Sequence, residues 1–295
     1  MIMDKHNRYQ ITEPNELLAW MLVQFSTKGR NTIKSLLVRK QVSVDGVIVT
    51  KHNHPLTPGQ VVTIQWTGTI EEIKPVGLKI IFEDTDLIVI DKEAGLLSIA
   101  STEEKEFTAQ NQLNEHVRRT DAKSRVYIVH RLDRDTSGIM MFAKSEKVKE
   151  LLQNNWHEAV SERIYIAVVE GQVRRKEHTI ISWLTEGKTL RMYSSPTPNA
   201  GQKAITHYKV IQSNKQYSML EIQLETGRKN QIRVHMQDIG HPVVGDKKYG
   251  STKNTLGRLG LHASVLAFTH PIHNLPMRFE SRVPEKFTRI FTVQG

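Results

Sequence analysis

The stretch that most constrains this chain is Val129–Gly138, VHRLDRDTSG. It lies between two apolar runs, Val126–Val129 and Ile139–Ala143. Both are short, bulky and bounded by polar residues, so they predict buried strands. The charges must then sit in the connection. His130, Arg131, Asp133, Arg134 and Asp135 fall within six residues, and Thr136, Ser137 and Gly138 close the loop, the glycine being free to take a positive φ. Loops carried by strands are where catalytic groups tend to be placed. The same charge density also fits a solvated turn.

The ordered run HRLDRDTSG, His130–Gly138, resembles the signature loop of one pseudouridine synthase family, the large RluA/RluD-type group that modifies ribosomal and transfer RNA. The resemblance implies that Asp133, the aspartate of HRLD, is catalytic. A match of this length is far more specific than a lone glycine motif.

Two more stretches carry the same resemblance. RIYIAVVEG, Arg163–Gly171, is apolar on both alternating faces, as a strand covered on two sides should be. It resembles the family's Lys-x-Tyr-x-Ala strand, whose tyrosine packs against the target base. That implies this role for Tyr165, which by burial pattern alone is a core residue, and puts Arg163 at the lysine position. TGRKNQIRVHM, Thr226–Met236, predicts a helix with Ile232, Met236 and Ile239 on one face and Asn230, Arg233 and Gln237 on another. It resembles the family's third signature, in which the arginine of QIR pairs with the catalytic aspartate. Gln231 and Arg233 hold those positions, and Lys229-Asn230 stand where the family commonly has Thr-His. Arg131, beside Asp133, is the candidate for filling the space a flipped uridine leaves, and Arg228 is a further candidate RNA contact. GHPVVGDKKYG and RLGLHASVLAFTHP resemble the family's closing segments, so the resemblance spans about residues 78–287.

Composition is consistent with such a partner. The net charge of +10 is spread over the whole chain rather than held in one tail, and points to a polyanion. A neutral sugar fits it poorly. That weighs against a glycosidase built on Asp133 and Asp135, whose carboxylates also sit too close in one loop to act on opposite sides of a bond. The absence of cysteine removes disulfides, thiol nucleophiles and thiolate metal sites. The histidines form no HExxH or comparable ligand pair, so no metal or cofactor is expected. No apolar run approaches the ~18 residues of a membrane span, and no secretory signal is evident. A cytoplasmic monomer is the expectation.

The N-terminal part has its own pattern. Leu17, Leu18, Met21, Leu22 and Phe25, then Ile33, Leu36 and Leu37, repeat at helical spacing. VSV and VIV flank Asp45-Gly46, a strong hairpin signal, and Pro58-Gly59 leads to a strand at Val61–Trp66. Residues before about 15 are polar and read as a frayed end. Lys28, Arg30, Lys34, Arg39 and Lys40 come without an intervening acid. They fit a solvated face or a phosphate-binding one. The helix-helix-hairpin order with Leu-x-x-x-x-Val-x-Val-Asp-Gly resembles the small RNA-binding domain named after a ribosomal small-subunit protein, S4, which implies RNA binding through these residues.

The expected fold is α+β. A small α/β RNA-binding domain (1–70) and a linker (71–77) precede a catalytic domain (78–295) built on a mixed, mostly antiparallel sheet with flanking helices. In it, LKIIFED and DLIVIDK pair, QNQLNEHV is weakly helical, and Ser145 caps a helix through Val148, Leu151, Leu152 and Trp156. Residues 172–202 form a surface loop or hairpin, and KAITHYKVI pairs with YSMLEIQL. The family's chemistry isomerises uridine without consuming a cofactor, and the attached N-terminal domain favours large-subunit ribosomal RNA over transfer RNA. The competing reading is a non-catalytic RNA-binding factor of ribosome assembly. An altered Asp133, Tyr165 or Arg233 would have favoured it, and all three are intact.

Overall fold

The computed structural model describes residues 6–66, 75–101, 107–118, 121, 123–198 and 201–292. It divides into two compact units, residues 1–74 and 75–295. Residues 71–74 of the expected linker lie outside the described residues.

The first unit comprises β1 (His6–Gln10), β2 (Asn15–Glu16), α1 (Leu17–Gln24), α2 (Arg30–Val38), β3 (Val42–Val44), β4 (Val47–Ile48), β5 (Pro55–Leu56) and β6 (Val61–Gln65). Its main sheet has the order β1-β6-β3-β4. Asp45 and Gly46 take φ of 50° and 82°, the left-handed pair that lets two residues turn a hairpin with the right twist. The helical stripe predicted from Leu17, Met21, Ile33, Leu36 and Leu37 is buried in one cluster with Val42, Val44, Val62 and Ile64. The expectation of a frayed start needs correction, because His6–Gln10 pair antiparallel with Val61–Gln65. Ladder pairing uses backbone groups that any residue carries, so a polar edge strand can read as a tail. Tyr9 anchors it, its ring 5.8 Å from that of Trp20 and 5.3 Å from that of Phe25.

The second unit runs β7 (Leu78–Glu83), β8 (Leu87–Lys92), α3 (Ala109–Val117), β9 (Tyr127–Ile128), β10 (Ser137–Ala143), α4 (Glu146–Asn154), α5 (Trp156–Ala159), β11 (Val160–Glu170), β12 (Glu177–Glu186), β13 (Met192–Ser195), β14 (Gln202–Ser213), β15 (Tyr217–Leu224), α6 (Gln231–Asp238), β16 (Leu261–Thr269), β17 (Pro276–Glu280) and α7 (Glu285–Thr292). The strands form one 11-stranded sheet of order β13-β12-β14-β15-β11-β16-β10-β8-β7, with β9 on β10 and β17 on β16. This is the mixed, mostly antiparallel sheet expected. Among the described strand pairs of this sheet only β10 and β16 run parallel, and they meet over Ser137–His262 and Gly138–Ala263.

That crossing explains the glycine closing the signature loop. Gly138 has φ of 114°, and a Cβ there would lie 2.0 Å from the Ala263 carbonyl oxygen. All of β10 is buried. The apolar run before the loop is shorter than expected, only Tyr127 and Ile128 being strand. Ser145 does cap α4, its hydroxyl accepting from Val148 N at 3.2 Å. Trp156 opens a separate short helix rather than ending that one, because Asn155 leaves helical geometry (φ −110°, ψ 26°). No helix among the described residues is long and apolar enough to cross a membrane.

Candidate active site

Asp133 sits on the loop entering β10, and that loop is tied down from both ends. Lys92, fully buried at the end of β8, donates through Nζ to the carbonyls of Leu96 (2.8 Å), Glu93 (2.9 Å) and Arg134 (3.0 Å). Three carbonyl acceptors satisfy all its protons. Burial lowers the Lys92 ammonium to about 8, an effect that Asp135 opposes, Arg258 adds to and Asp133 opposes. Ser98 Oγ donates to Leu132 O at 2.7 Å. Beyond the aspartate, Arg258 Nη2 donates to Ser137 Oγ at 2.7 Å. The carboxylate is thus carried on a stiff segment.

Arg233, 100 residues further along the chain, meets it. Its Nη1 donates to Asp133 Oδ2 at 3.0 Å, while Nε and Nη2 grip Asp246 at 2.6 and 2.9 Å. Such a fork fixes the guanidinium in plane as well as in charge. Burial alone would lower the Arg233 guanidinium, but the hydrogen bonds and charge of Asp246, with those of Asp133, hold it above its ordinary value. The Tyr249 ring lies under it, 5.0 Å from the guanidinium carbon. The Tyr249 hydroxyl accepts from Asn230 Nδ2 (2.9 Å) and Met192 N (3.0 Å). Asn230 starts α6 in the left-handed conformation, φ 55°, which asparagine tolerates better than most residues. Gln231 fastens the same end to β14, donating to Ile205 O (3.0 Å) and Thr206 Oγ1 (2.9 Å).

Asp246 and Tyr249 carry no role in the sequence reading, although both lie in GDKKYG. The available signal was slight. An acid between Val243-Val244 and an aromatic is costly to bury unless a cation meets it, and nothing local identifies that cation as Arg233.

Tyr165, on β11, lines the same small cavity of about 70 Å³ as Arg131, Asp133, Arg228 and Arg233. Burial raises its phenol, with the Asp133 charge adding to this against Arg163, so the hydroxyl keeps its proton. Arg131 is exposed at the mouth. Arg228 donates through Nε to Lys203 O at 3.1 Å. The fold therefore brings together Asp133, Tyr165, Arg233, Arg131 and Arg228. The other basic candidates belong to the first unit. Lys28, Arg30, Arg39 and Lys40 are exposed and Lys34 is half-buried, all on or beside α2. Lys28 Nζ lies 4.7 Å from the centroid of the Trp66 ring.

This arrangement can hold a carboxylate against a flat group while an aromatic ring supports it. Away from it, the fold gathers Asp86, His270 and His273, with potential ligand atoms within 4.8 Å of one another. Nothing local in the sequence marks that cluster. His270 Nδ1 accepts from Ile272 N (3.2 Å) and His273 N (3.1 Å), and Nε2 donates to Asp84 at 3.0 Å. Both ring nitrogens are so committed to tying the end of β16 to the turn between β7 and β8.

Comparison with known proteins points the same way. The RNA pseudouridylate synthase family model matches residues 86–238. The uncharacterized RNA pseudouridine synthase YlyB of Bacillus subtilis is 33% identical over 302 residues, covering 96% of this chain and 97% of that protein. Ribosomal large subunit pseudouridine synthase D of Vibrio cholerae is 31% identical over 278 residues, covering 88% of this chain and 85% of that protein. The solved structure of human RNA pseudouridylate synthase domain containing 4 shares the fold, with a TM-score of 0.58 at 22% identity over 71% of this chain and 90% of that one. With the family model spanning half of its length and relatives matching it almost end to end, this chain belongs to the RNA pseudouridine synthases.

Proposed function

We propose that the chain isomerises specific uridines of large-subunit ribosomal RNA, with Asp133 as the catalytic carboxylate. The observation that carries this reading is the Asp133–Arg233–Asp246 chain of contacts, set in a cavity lined also by Tyr165 and Arg131. In the reaction the bond from N1 to the ribose breaks, the uracil turns, and carbon 5 bonds to the ribose instead. Carbon 5 loses a proton and N1 gains one, so the product is an isomer.

The residues divide the work. Asp133 supplies the carboxylate at the nucleoside, and Arg233 holds it in place by its charge and hydrogen bond. Tyr165 is the shelf for the detached base, with a hydroxyl that stays protonated. Arg131 takes the space left in the RNA, which helps offset the few kcal/mol that flipping a base costs. Arg228 contacts the backbone beside it.

The first unit is read as an S4-like domain that adds phosphate contacts through Lys28, Arg30, Lys34, Arg39 and Lys40. Such contacts position an RNA without specifying the base. That unit and the name of the Vibrio cholerae relative both support ribosomal RNA.

The test is pseudouridine mapping of total RNA from cells lacking the protein, complemented with wild type or with Asp133→Asn. One site should vanish and return with wild type alone. Return of the site with Asp133→Asn would overturn the catalytic assignment.

A further inference from the structure

A second, larger pocket of about 330 Å³ adjoins the catalytic cavity and shares Arg131, Tyr165, Leu224 and Arg228 with it. Its own lining includes His130, Trp156, His157 and Arg163, and no carboxylate. Its size falls in the ~300–1,000 Å³ range of sites for small organic groups.

The chemistry of the lining is specific. Arg163 spends Nη2 on two backbone carbonyls, Glu225 O at 2.6 Å and Leu224 O at 3.2 Å. Among the described residues no carboxylate lies within ion-pair distance of it. Space for this guanidinium is kept by Gly227, where a Cβ would come within 2.7 Å of Nη1. A partly buried cation without a counter-ion is unfavourable until an anion arrives. Trp156 stands beside it, half-buried, its ring 5.7 Å from the Arg163 guanidinium carbon and 5.2 Å from the His130 ring. Met141 N donates to His130 Nε2 at 3.1 Å, so the ring proton is on Nδ1 and remains as a donor. Burial, with the Arg163 charge beside it, lowers the His130 imidazole to about 3 and keeps it neutral.

We propose that this pocket holds the nucleotide adjoining the target uridine along the RNA, its base against Trp156 and its phosphate at Arg163 and Arg228. The inference rests on the reading of the first cavity as the uridine site. It also follows from what flipping does to the RNA. When the uridine leaves the stack, its neighbour loses a stacking face, and an aromatic side chain one cavity away replaces it. Stacking on an aromatic tolerates any base, so the subsite sets placement more than sequence, with the His130 Nδ1–H available to a base edge.

The test uses full-length protein and a short RNA carrying the mapped uridine, with an abasic residue placed in turn at each neighbouring position. Conversion of the unaltered RNA by wild type reports on the uridine site itself, and binding and KM across the abasic series report on the subsite. Wild type should lose about tenfold in KM at one neighbouring position. Trp156→Ala should show that loss already with the intact RNA and no further loss with the abasic one, while Trp156→Phe restores the difference. Indifference of wild type to removal of either neighbouring base would overturn the proposal. So would equal abasic losses in wild type and Trp156→Ala. Should Trp156→Ala not fold, the wild-type series decides alone.

Discussion

Asp246→Asn should uncouple the arginine from its rear support while leaving every residue that lines the cavity chemically unaltered. Asp246 is 2% exposed and holds Nε and Nη2 of Arg233 at 2.6 and 2.9 Å. An amide offers one acceptor oxygen and turns N–H toward a donor, so one charge-assisted bond, worth about 1.5–3 kcal/mol, is lost. Arg233 still has Asp133 at 3.0 Å, so the guanidinium is not left wholly uncompensated. The expected loss of unfolding free energy is about 2–3 kcal/mol, against the roughly 3–5 kcal/mol that removing one partner of a buried pair costs. Turnover should suffer for a separate reason. Once one anchor of the fork is gone, Nη1 is free to drift from the carboxylate, and a misplacement of about 1 Å costs on the order of 10²-fold in rate. Release of the hydrogen on carbon 5 from labelled RNA, followed at multiple turnover, should therefore show kcat down on the order of 10²-fold, with KM within about threefold. Urea melts give the stability change in parallel. A variant that loses stability yet keeps wild-type kcat would refute the idea that Asp246 aims the arginine.

Other perturbations reach different parts of the molecule. His130 and His235 bind a proton in the unfolded chain below about pH 6.5, but with folded values of about 3 and about 4 they do not in the fold. Unfolding then takes up protons, so stability should fall as pH drops through 6.5, by up to roughly 2.7 kcal/mol per pH unit for the pair; a urea midpoint equal at pH 7 and pH 5.5 would contradict this. Gly138→Ala drives a methyl into the Ala263 carbonyl at 2.0 Å and should cost more than about 4 kcal/mol, seen as lost soluble yield or a collapsed melting temperature. Reversing the charge of Lys34, Arg39 and Lys40 together should weaken RNA binding and flatten the plot of log affinity against log salt. An unchanged slope would remove the first unit from RNA binding.

What the sequence makes legible follows the range of the interactions involved. The helices holding Met21 and Leu37, the Asp45-Gly46 hairpin and the Ser145 cap are set by neighbours a few residues away, and each forms where its local pattern places it. The strand at His6–Gln10 is not legible, because it is held by backbone pairing to residues more than fifty positions on. The break at Asn155 is hidden for the opposite reason: Trp156 continues the apolar spacing of α4 while the backbone has already turned. In the site, Asp133, Tyr165 and Arg233 emerge through their resemblance to family motifs, and the structure supplies the distance between them. Asp246 stays hidden, since its significance lies wholly in a side chain from α6. The pocket around Trp156 is composed from α5, β11 and the signature loop, and no one of these segments marks it.

The parallel contact between β10 and β16 has a consequence for how the protein is made. Ser137 and His262, joined across it at 2.8 Å, lie 125 residues apart. At ~5–20 residues per second of synthesis, β10 waits on the order of ten seconds for that neighbour. During this interval β8 covers one of its edges and β9 the far end of the other, while Ser137 and Gly138 at the near end of that second edge still lack their partner. The loop that carries Asp133 therefore becomes rigid late, and the cavity it lines is completed only once β16 has been made.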